Sequence, residues 1–180
     1  MITTLPTIRF NKYKLREINQ YDYIDLYNVG SNSNVCKYLN WGPYKRLIEA
    51  KIAIERFYLR RPLYGLPIGY AITVCDTLIG VIDFHTYNES LNSCEIGFFL
   101  KEEYQNQGIM TKALKKVIDV GFNHLKLDKL ICGHIDLNEA SKRVILKCGF
   151  KYEFEKIENI KDKDYICKYY SIYKGEYYDN

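Results

Sequence analysis

The stretch Tyr104-Gln-Asn-Gln-Gly-Ile-Met-Thr-Lys-Ala113 carries a polar loop into a segment of helical apolar spacing. A helix start leaves backbone N–H groups unpaired and presents the positive end of the helix dipole. Together these make an anion site suited to a pyrophosphate. Gly108 lets the backbone come close, having no Cβ to keep a phosphate away, and Thr111 adds a hydroxyl donor. A single glycine at a helix start also follows from helix-breaking chemistry, so this pattern alone does not name a ligand.

A second cluster is Asp136-Leu-Asn138-Glu-Ala-Ser141, where a strand gives way to a helix. Asn138 is an ordinary N-cap there and needs no other reason to exist. Ser141 follows one helical turn on, so a ligand at that mouth meets hydrogen-bonding groups from both residues. The third cluster lies on strands. Glu95 begins a strand that is otherwise apolar, while Asp83 and His85 alternate with Ile82 and Phe84 and share one face. A carboxylate on a buried strand is paired or functional; a solvated rim position is the plain alternative for each.

Composition narrows the chemistry. Cysteines at 36, 75, 94, 132, 148 and 167 form no C-x-x-C pair, and only three histidines accompany them, so no metal site is expected. Cys75, Cys94 and Cys132 fall in apolar strand-like runs and read as reduced core thiols. The net charge of +4 is scattered rather than gathered into a stripe, so no nucleic-acid partner is expected. Of the 18 tyrosines, many lie near the C-terminus; strand propensity explains them more simply than base stacking. No apolar run reaches the roughly 18 residues of a membrane span. The residues Met1-Ile-Thr-Thr-Leu-Pro6 lack the pattern of a secretory leader. The expectation is a cytoplasmic protein with no membrane partner.

The elements that must position these groups follow from periodicity. With 180 residues, 47% of them apolar, and no repeat or linker, one domain spanning 1–180 is expected. A strand is predicted over 13–18, a helix from Asn19 or Asp22 to about Val29, and a loop over 30–34. A Gly-Pro turn closes the segment 35–44, and apolar spacing predicts a helix over 47–59. Strands are predicted over 68–75, 78–87 and 93–100, the first two joined by a tight turn at Asp76-Thr77. Then come a helix over 107–124, a strand over 129–135, a helix over 138–147 and strands over 151–156 and 164–173. The order β-α-α-β-β-β-α-β-α-β-β predicts an α/β layout around one sheet.

Together these residues resemble the GNAT superfamily of N-acetyltransferases, and most closely its Rim-type branch, whose named members acetylate N-termini of ribosomal proteins. The family's signature [Gln/Arg]-x-x-Gly-x-[Gly/Ala] is met at Gln105 and Gly108, while Met110 departs from it. Gly108-Ile-Met-Thr-Lys-Ala113 resembles the Rim-type variant Gly-[Ile/Tyr]-[Met/Ala]-Thr-Glu-Ala, with Lys112 standing where Glu is usual. Leu39-Asn-Trp-Gly-Pro43 resembles the segment entering the substrate side, and Glu95-Ile-Gly-Phe-Phe-Leu100 the strand that usually reads Glu-Ile-Gly-Tyr. Asn138-Glu-Ala-Ser141 and Lys147-Cys-Gly-Phe150 resemble the pair Asn-x-x-Ser and Lys-x-Gly-Phe.

The resemblance implies the α/β (α+β) GNAT acyl-CoA N-acyltransferase fold, a mixed central sheet flanked by helices. It implies acetyl-CoA as cosubstrate and direct attack by a primary amine, with no acyl-enzyme and no metal. The acceptor is then a ribosomal or other protein N-terminus or a small-molecule amine, and the chain a monomer or homodimer. Backbone groups of Phe98, Phe99 and Leu100 are expected to pair with the pantetheine arm. Gln105 is expected in the cofactor site, the backbone amides of Gln107, Gly108, Ile109, Met110 and Thr111 at the pyrophosphate with Gly108 central, Asn138 and Ser141 at the arm or thioester, and Lys147 at the adenosine phosphates. Glu95 is the expected base, acting through water, with His85 as the alternate. Ser141 or a nearby tyrosine is the expected proton donor to the thiolate. The acceptor pocket is expected among residues 38–44, the first helices and the strand near His85. The departures at Met110 and Lys112 also permit a catalytically weak CoA-binding or sensing protein.

Overall fold

A computed structural model describes residues 4–178; residues 1–3, on which the leader reading partly rests, and 179–180 lie outside the described residues. The strands are β1 (Ile8–Phe10), β2 (Tyr13–Glu17), β3 (Tyr70–Val74), β4 (Thr77–Asn88), β5 (Ser93–Leu100), β6 (Lys129–Ile135), β7 (Lys151–Ile160) and β8 (Lys163–Tyr173). They form one eight-stranded sheet in the order β1-β2-β3-β4-β5-β6-β8-β7. The helices are α1 (Tyr23–Gly30), α2 (Leu47–Ile52), α3 (Ile109–Asp119), α4 (Glu139–Lys147) and α5 (Lys174–Tyr178). β5 and β6 run parallel and the remaining neighbours antiparallel. A parallel pair needs a long crossover, and α3 supplies it.

Side-chain alternation along β5 separates two layers. Cys94, Ile96 and Leu100 join the core beneath α3, whose Ile109, Met110, Ala113, Leu114, Val117 and Ile118 are all buried. That spacing is one helical stripe. Burying side chains of this kind contributes about 1.5–3 kcal/mol for each of the larger ones, which holds a helix too short to persist alone. Phe99 points the other way, into a second core with Leu26 and Val29 of α1, Ala50 of α2 and Val81 of β4. The site-bearing strand is thus fixed from both faces. Among the described residues no helix is long and apolar enough to cross a membrane.

Several expectations need correction. β1 was not foreseen; it pairs with β2 across a turn at Asn11-Lys12, and three residues are too few to show a period. The helix expected over 47–59 is the short α2 followed by a π-helical turn, Ala53–Tyr58. Ala50, Ile54 and Tyr58 are buried, whereas Leu47, Ile48, Ile52 and Phe57 are exposed. The turn after β3 falls on Cys75-Asp76, both at positive φ (47° and 62°), as a two-residue hairpin of the primed type needs. Cys75 is therefore exposed, while the other five cysteines are buried. α3 starts at Ile109 rather than 107, and residues 120–124 form another π-helical turn. β7 runs on to Ile160, and the tyrosine-rich tail ends in α5 rather than in strand alone.

Candidate active site

β5 and β6 are hydrogen-bonded only from Ser93 to Glu95, opposite Lys129 to Ile131. Beyond that the strands part. β5 stays paired with β4 as far as Leu100 opposite Gly80, so alternate backbone groups of residues 96–100 face the side that β6 has left. Gly80 is what allows this end of β4 to lie so close: a Cβ there would sit 2.5 Å from the Phe99 carbonyl oxygen.

The opening becomes a cleft of about 360 Å³, walled by Phe98, Phe99 and Leu100 on one side and by the starts of α3 and α4 on another. Gly108 is the N-cap of α3 in the left-handed region (φ 71°, ψ 6°), and no side chain caps the helix. The first intrahelical bond runs from the Lys112 N–H to the Gly108 carbonyl. The amides of Ile109, Met110 and Thr111 precede it, so they are the unpaired donors of that helix start. A Cβ added at Gly108 would meet nothing within 4 Å. The wall at this point is bare backbone beside open space.

Gln105 holds the approach to that turn. Its side-chain amide donates to the Leu100 carbonyl at 2.8 Å, fastening the loop to the end of β5. Glu102 accepts from the side chains of Asn32 (2.7 Å) and Asn34 (2.9 Å), which straps the segment after α1 to the same loop. Val35, Tyr38 and Leu39 of that segment complete the cleft.

α4 differs from α3 in being capped: the Asn138 side chain accepts from the Ser141 N–H at 3.2 Å. Capping accounts for Asn138, yet both residues also line the cleft. One helical turn apart on α4, Arg143 and Lys147 add positive charge to the same wall.

Glu95 lies on the other face of β5, with Gly97 and Phe99. It sits in register with His85 of β4, and the His85 Nδ1 is 3.8 Å from a Glu95 carboxylate oxygen. Burial pushes the Glu95 carboxyl above its ordinary value, and His85 pulls the other way. Four residues of strand, about 13 Å, separate Glu95 from Phe99 at the cleft. On this face Gly97 is hemmed by His85 and Asp83, and Asp83 forms a buried 2.7 Å ion pair with Arg61. Trp41 stacks on Tyr44 and meets Phe99 edge-on, each at 5.0 Å between ring centres.

The cleft gathers most of the residues singled out from sequence: Phe98, Phe99 and Leu100; Gln105, Gly108, Ile109, Met110 and Thr111; Asn138 and Ser141; and Lys147. Others stand apart. Glu95, with His85 and Asp83 beside it, lies farther back along the sheet, and the Gln107 side chain turns away to the Glu103 carbonyl at 2.8 Å, beside a second hollow. Sequence reasoning missed Arg143, whose i,i+4 spacing to Lys147 was the available signal. It also missed Glu102, whose asparagine partners lie about 70 residues away. Burial keeps nearby thiols protonated, Cys94 at about 12 and Cys148 at about 11.

Comparison with known proteins gives concordant matches. The family model for the acetyltransferase (GNAT) domain matches residues 12–151. The uncharacterized N-acetyltransferase YoaA of Bacillus subtilis is 28% identical over 149 residues, covering 82% of this chain and 84% of that one. The spermidine N(1)-acetyltransferase of Escherichia coli K12 is 25% identical over 143 residues, 79% of this chain and 74% of its own. In fold, a ribosomal-protein-S5-alanine acetyltransferase from Vibrio fischeri superposes with a TM-score of 0.79 at 20% identity, covering 96% of this chain and 98% of its own.

Proposed function

The chain belongs to the GNAT acetyltransferase family, and from that premise we propose that it moves an acetyl group from acetyl-CoA directly to a primary amine, in the cleft between β5, α3 and α4. The observation that carries this reading is the uncapped start of α3. Three unpaired amides and the open face of Gly108 border the same cleft as the parted end of β5. A pyrophosphate needs the first feature, and an extended amide-bearing arm needs the second.

In this reading the Ile109, Met110 and Thr111 amides take the pyrophosphate. Gln105 acts on it indirectly, by fixing the loop to Leu100. The free backbone groups of Phe98, Phe99 and Leu100 pair with the pantetheine amides as an added strand would. Asn138 and Ser141 meet the arm near the thioester, and Arg143 with Lys147 balance the adenosine phosphates. A β5 N–H near Phe99 polarises the thioester carbonyl.

The amine nitrogen attacks that carbonyl carbon, the C–S bond breaks, and the departing thiolate takes a proton through the Ser141 hydroxyl, which is reprotonated by water as the proton released from the amine returns to solvent. The buried, protonated cysteines offer no competing nucleophile. Glu95 receives the amine proton through water, since it stands about 13 Å back along β5 from Phe99, and its raised pKa makes it a stronger base than an ordinary glutamate.

The acceptor decides how much that base matters. An α-amino group of pKa near 8 costs about 1.4 kcal/mol to deprotonate at pH 7, whereas an alkylamine near 10.4 costs about 4.6 kcal/mol. Names among the relatives point both ways, to spermidine and to ribosomal proteins. Wild type and Glu95→Gln are therefore assayed with acetyl-CoA against protein N-terminal peptides, polyamines and other small amines, reading acetylated product by mass. A loss of about a hundredfold or more assigns Glu95 the base role and a basic alkylamine acceptor. Near-equal rates on an N-terminal peptide assign an α-amine. No acetylated product from any amine, with acetyl-CoA bound, refutes the transferase reading and leaves a CoA-binding protein.

A further inference from the structure

β7 is the last strand of the sheet, and among the described residues its outer edge carries no partner strand. Unlike the other terminal strand, the three-residue β1, it is ten residues long and largely exposed on both faces. A long, partly apolar edge invites pairing with another strand. The side chains on β7 indicate which strand fits.

On the face that carries α3 and α4, Ile157 lies opposite Ile166 of β8. Neither is covered: Ile157 is 72% exposed and Ile166 46%. On the other face stand Phe154, stacked on Tyr169, and then Lys156 and Glu158, paired with each other at 2.8 Å, with Ile160 beyond. We propose that β7 pairs antiparallel with β7 of a second copy, about a twofold axis through Ile157, joining two eight-stranded sheets into one.

The register follows from chemistry. A twofold perpendicular to the sheet places each residue opposite one on the same face, so Ile157 meets its own copy. Ile166, Ile157, the second copy's Ile157 and its Ile166 then form one apolar row across four strands. On the opposite face each Lys156 lies across from the second copy's Glu158, and each Phe154 across from the second copy's Ile160. Directly opposed residues of this kind attract when opposite in charge or apolar, and repel when alike. Moving the axis by one residue sets Lys156 against Lys156 or Glu158 against Glu158 and disperses the isoleucine row. The register break at Glu153 ends the regular edge beyond Phe154, which limits pairing to the complementary stretch.

A reciprocal charge exchange tests the register as well as the contact. Sedimentation velocity on the full chain at micromolar concentration is expected to give a dimer. Lys156→Glu and Glu158→Lys each set like charges across the axis twice and are expected to weaken the dimer by about tenfold or more. Mixed in equal amounts, the two variants restore both pairs and are expected to recover a heterodimer. Ile157→Lys is expected to be monomeric, and circular dichroism melts check that each variant is folded. A wild-type monomer at a hundred micromolar overturns the proposal, as does a dimer that all three variants retain, or a charge pair that fails to reassociate on mixing.

Discussion

Gly108→Ala isolates the proposed grip on the pyrophosphate, because Gly65 provides a matched control. The two glycines have nearly the same backbone, φ 71° and ψ 6° against φ 72° and ψ 14°. A Cβ at either would meet nothing within 4 Å. Alanine in this left-handed region costs about 1–2 kcal/mol, and the loss of unfolded-state freedom returns about 0.4–1 kcal/mol. Each substitution should therefore destabilise the unliganded protein by about 1 kcal/mol, or about 2–4 °C in melting temperature. Only Gly108 borders the cleft. There the added methyl keeps an oxyanion from the unpaired amides, at about 1.5–3 kcal/mol for each charge-assisted hydrogen bond lost. Calorimetric titration with CoA should show affinity reduced about tenfold to a hundredfold for Gly108→Ala and unchanged for Gly65→Ala. Wild-type CoA affinity in Gly108→Ala, or an equal loss in Gly65→Ala, refutes the reasoning.

Two further predictions concern charges behind the strand. Because burial raises the Glu95 pKa, folding favours its protonated form, and that stabilisation fades as pH rises through the folded value. Glu95→Gln should therefore melt at or above wild type at pH 8 and level with it at pH 4. The acid limb of kcat/KM, set in wild type above the ordinary glutamate value of 4.5, should vanish in the variant. Asp83→Ala strands the buried Arg61 guanidinium, which otherwise holds Asp83 at 2.7 Å and donates to the Phe84 carbonyl. It should cost about 3–5 kcal/mol in urea unfolding, and a loss under about 1 kcal/mol would show that Arg61 finds another partner or water.

What could be read in advance depended on local chemistry. β3, β4, β5 and β6 were legible because their apolar runs end in turn residues, and α3 because its buried stripe is complete. Asn138 and Ser141 were legible as a cap and as neighbours at one mouth, since capping is a short-range rule. The fate of α2 was not: Leu47, Ile48 and Ile52 obey helical spacing yet face solvent, because only tertiary packing decides which stripe is buried. Glu95 was recognised as a carboxylate on an apolar strand. Its distance from the cleft was not legible: Glu95 shares the Phe99 face of β5 but lies four residues back along the strand, and only the point where β6 leaves β5 shows which end opens. Glu102 could not be found at all, since its role is a contact between distant segments.

The account rests on a cleft that grips CoA, and thermal melting with and without CoA tests it most directly. With CoA at about 100 times its dissociation constant, binding to the folded state alone adds about 2.7 kcal/mol. For a chain of this size that raises the melting temperature by about 5–10 °C. A saturable shift of that size supports the cleft as the CoA site, and no shift at millimolar CoA contradicts it.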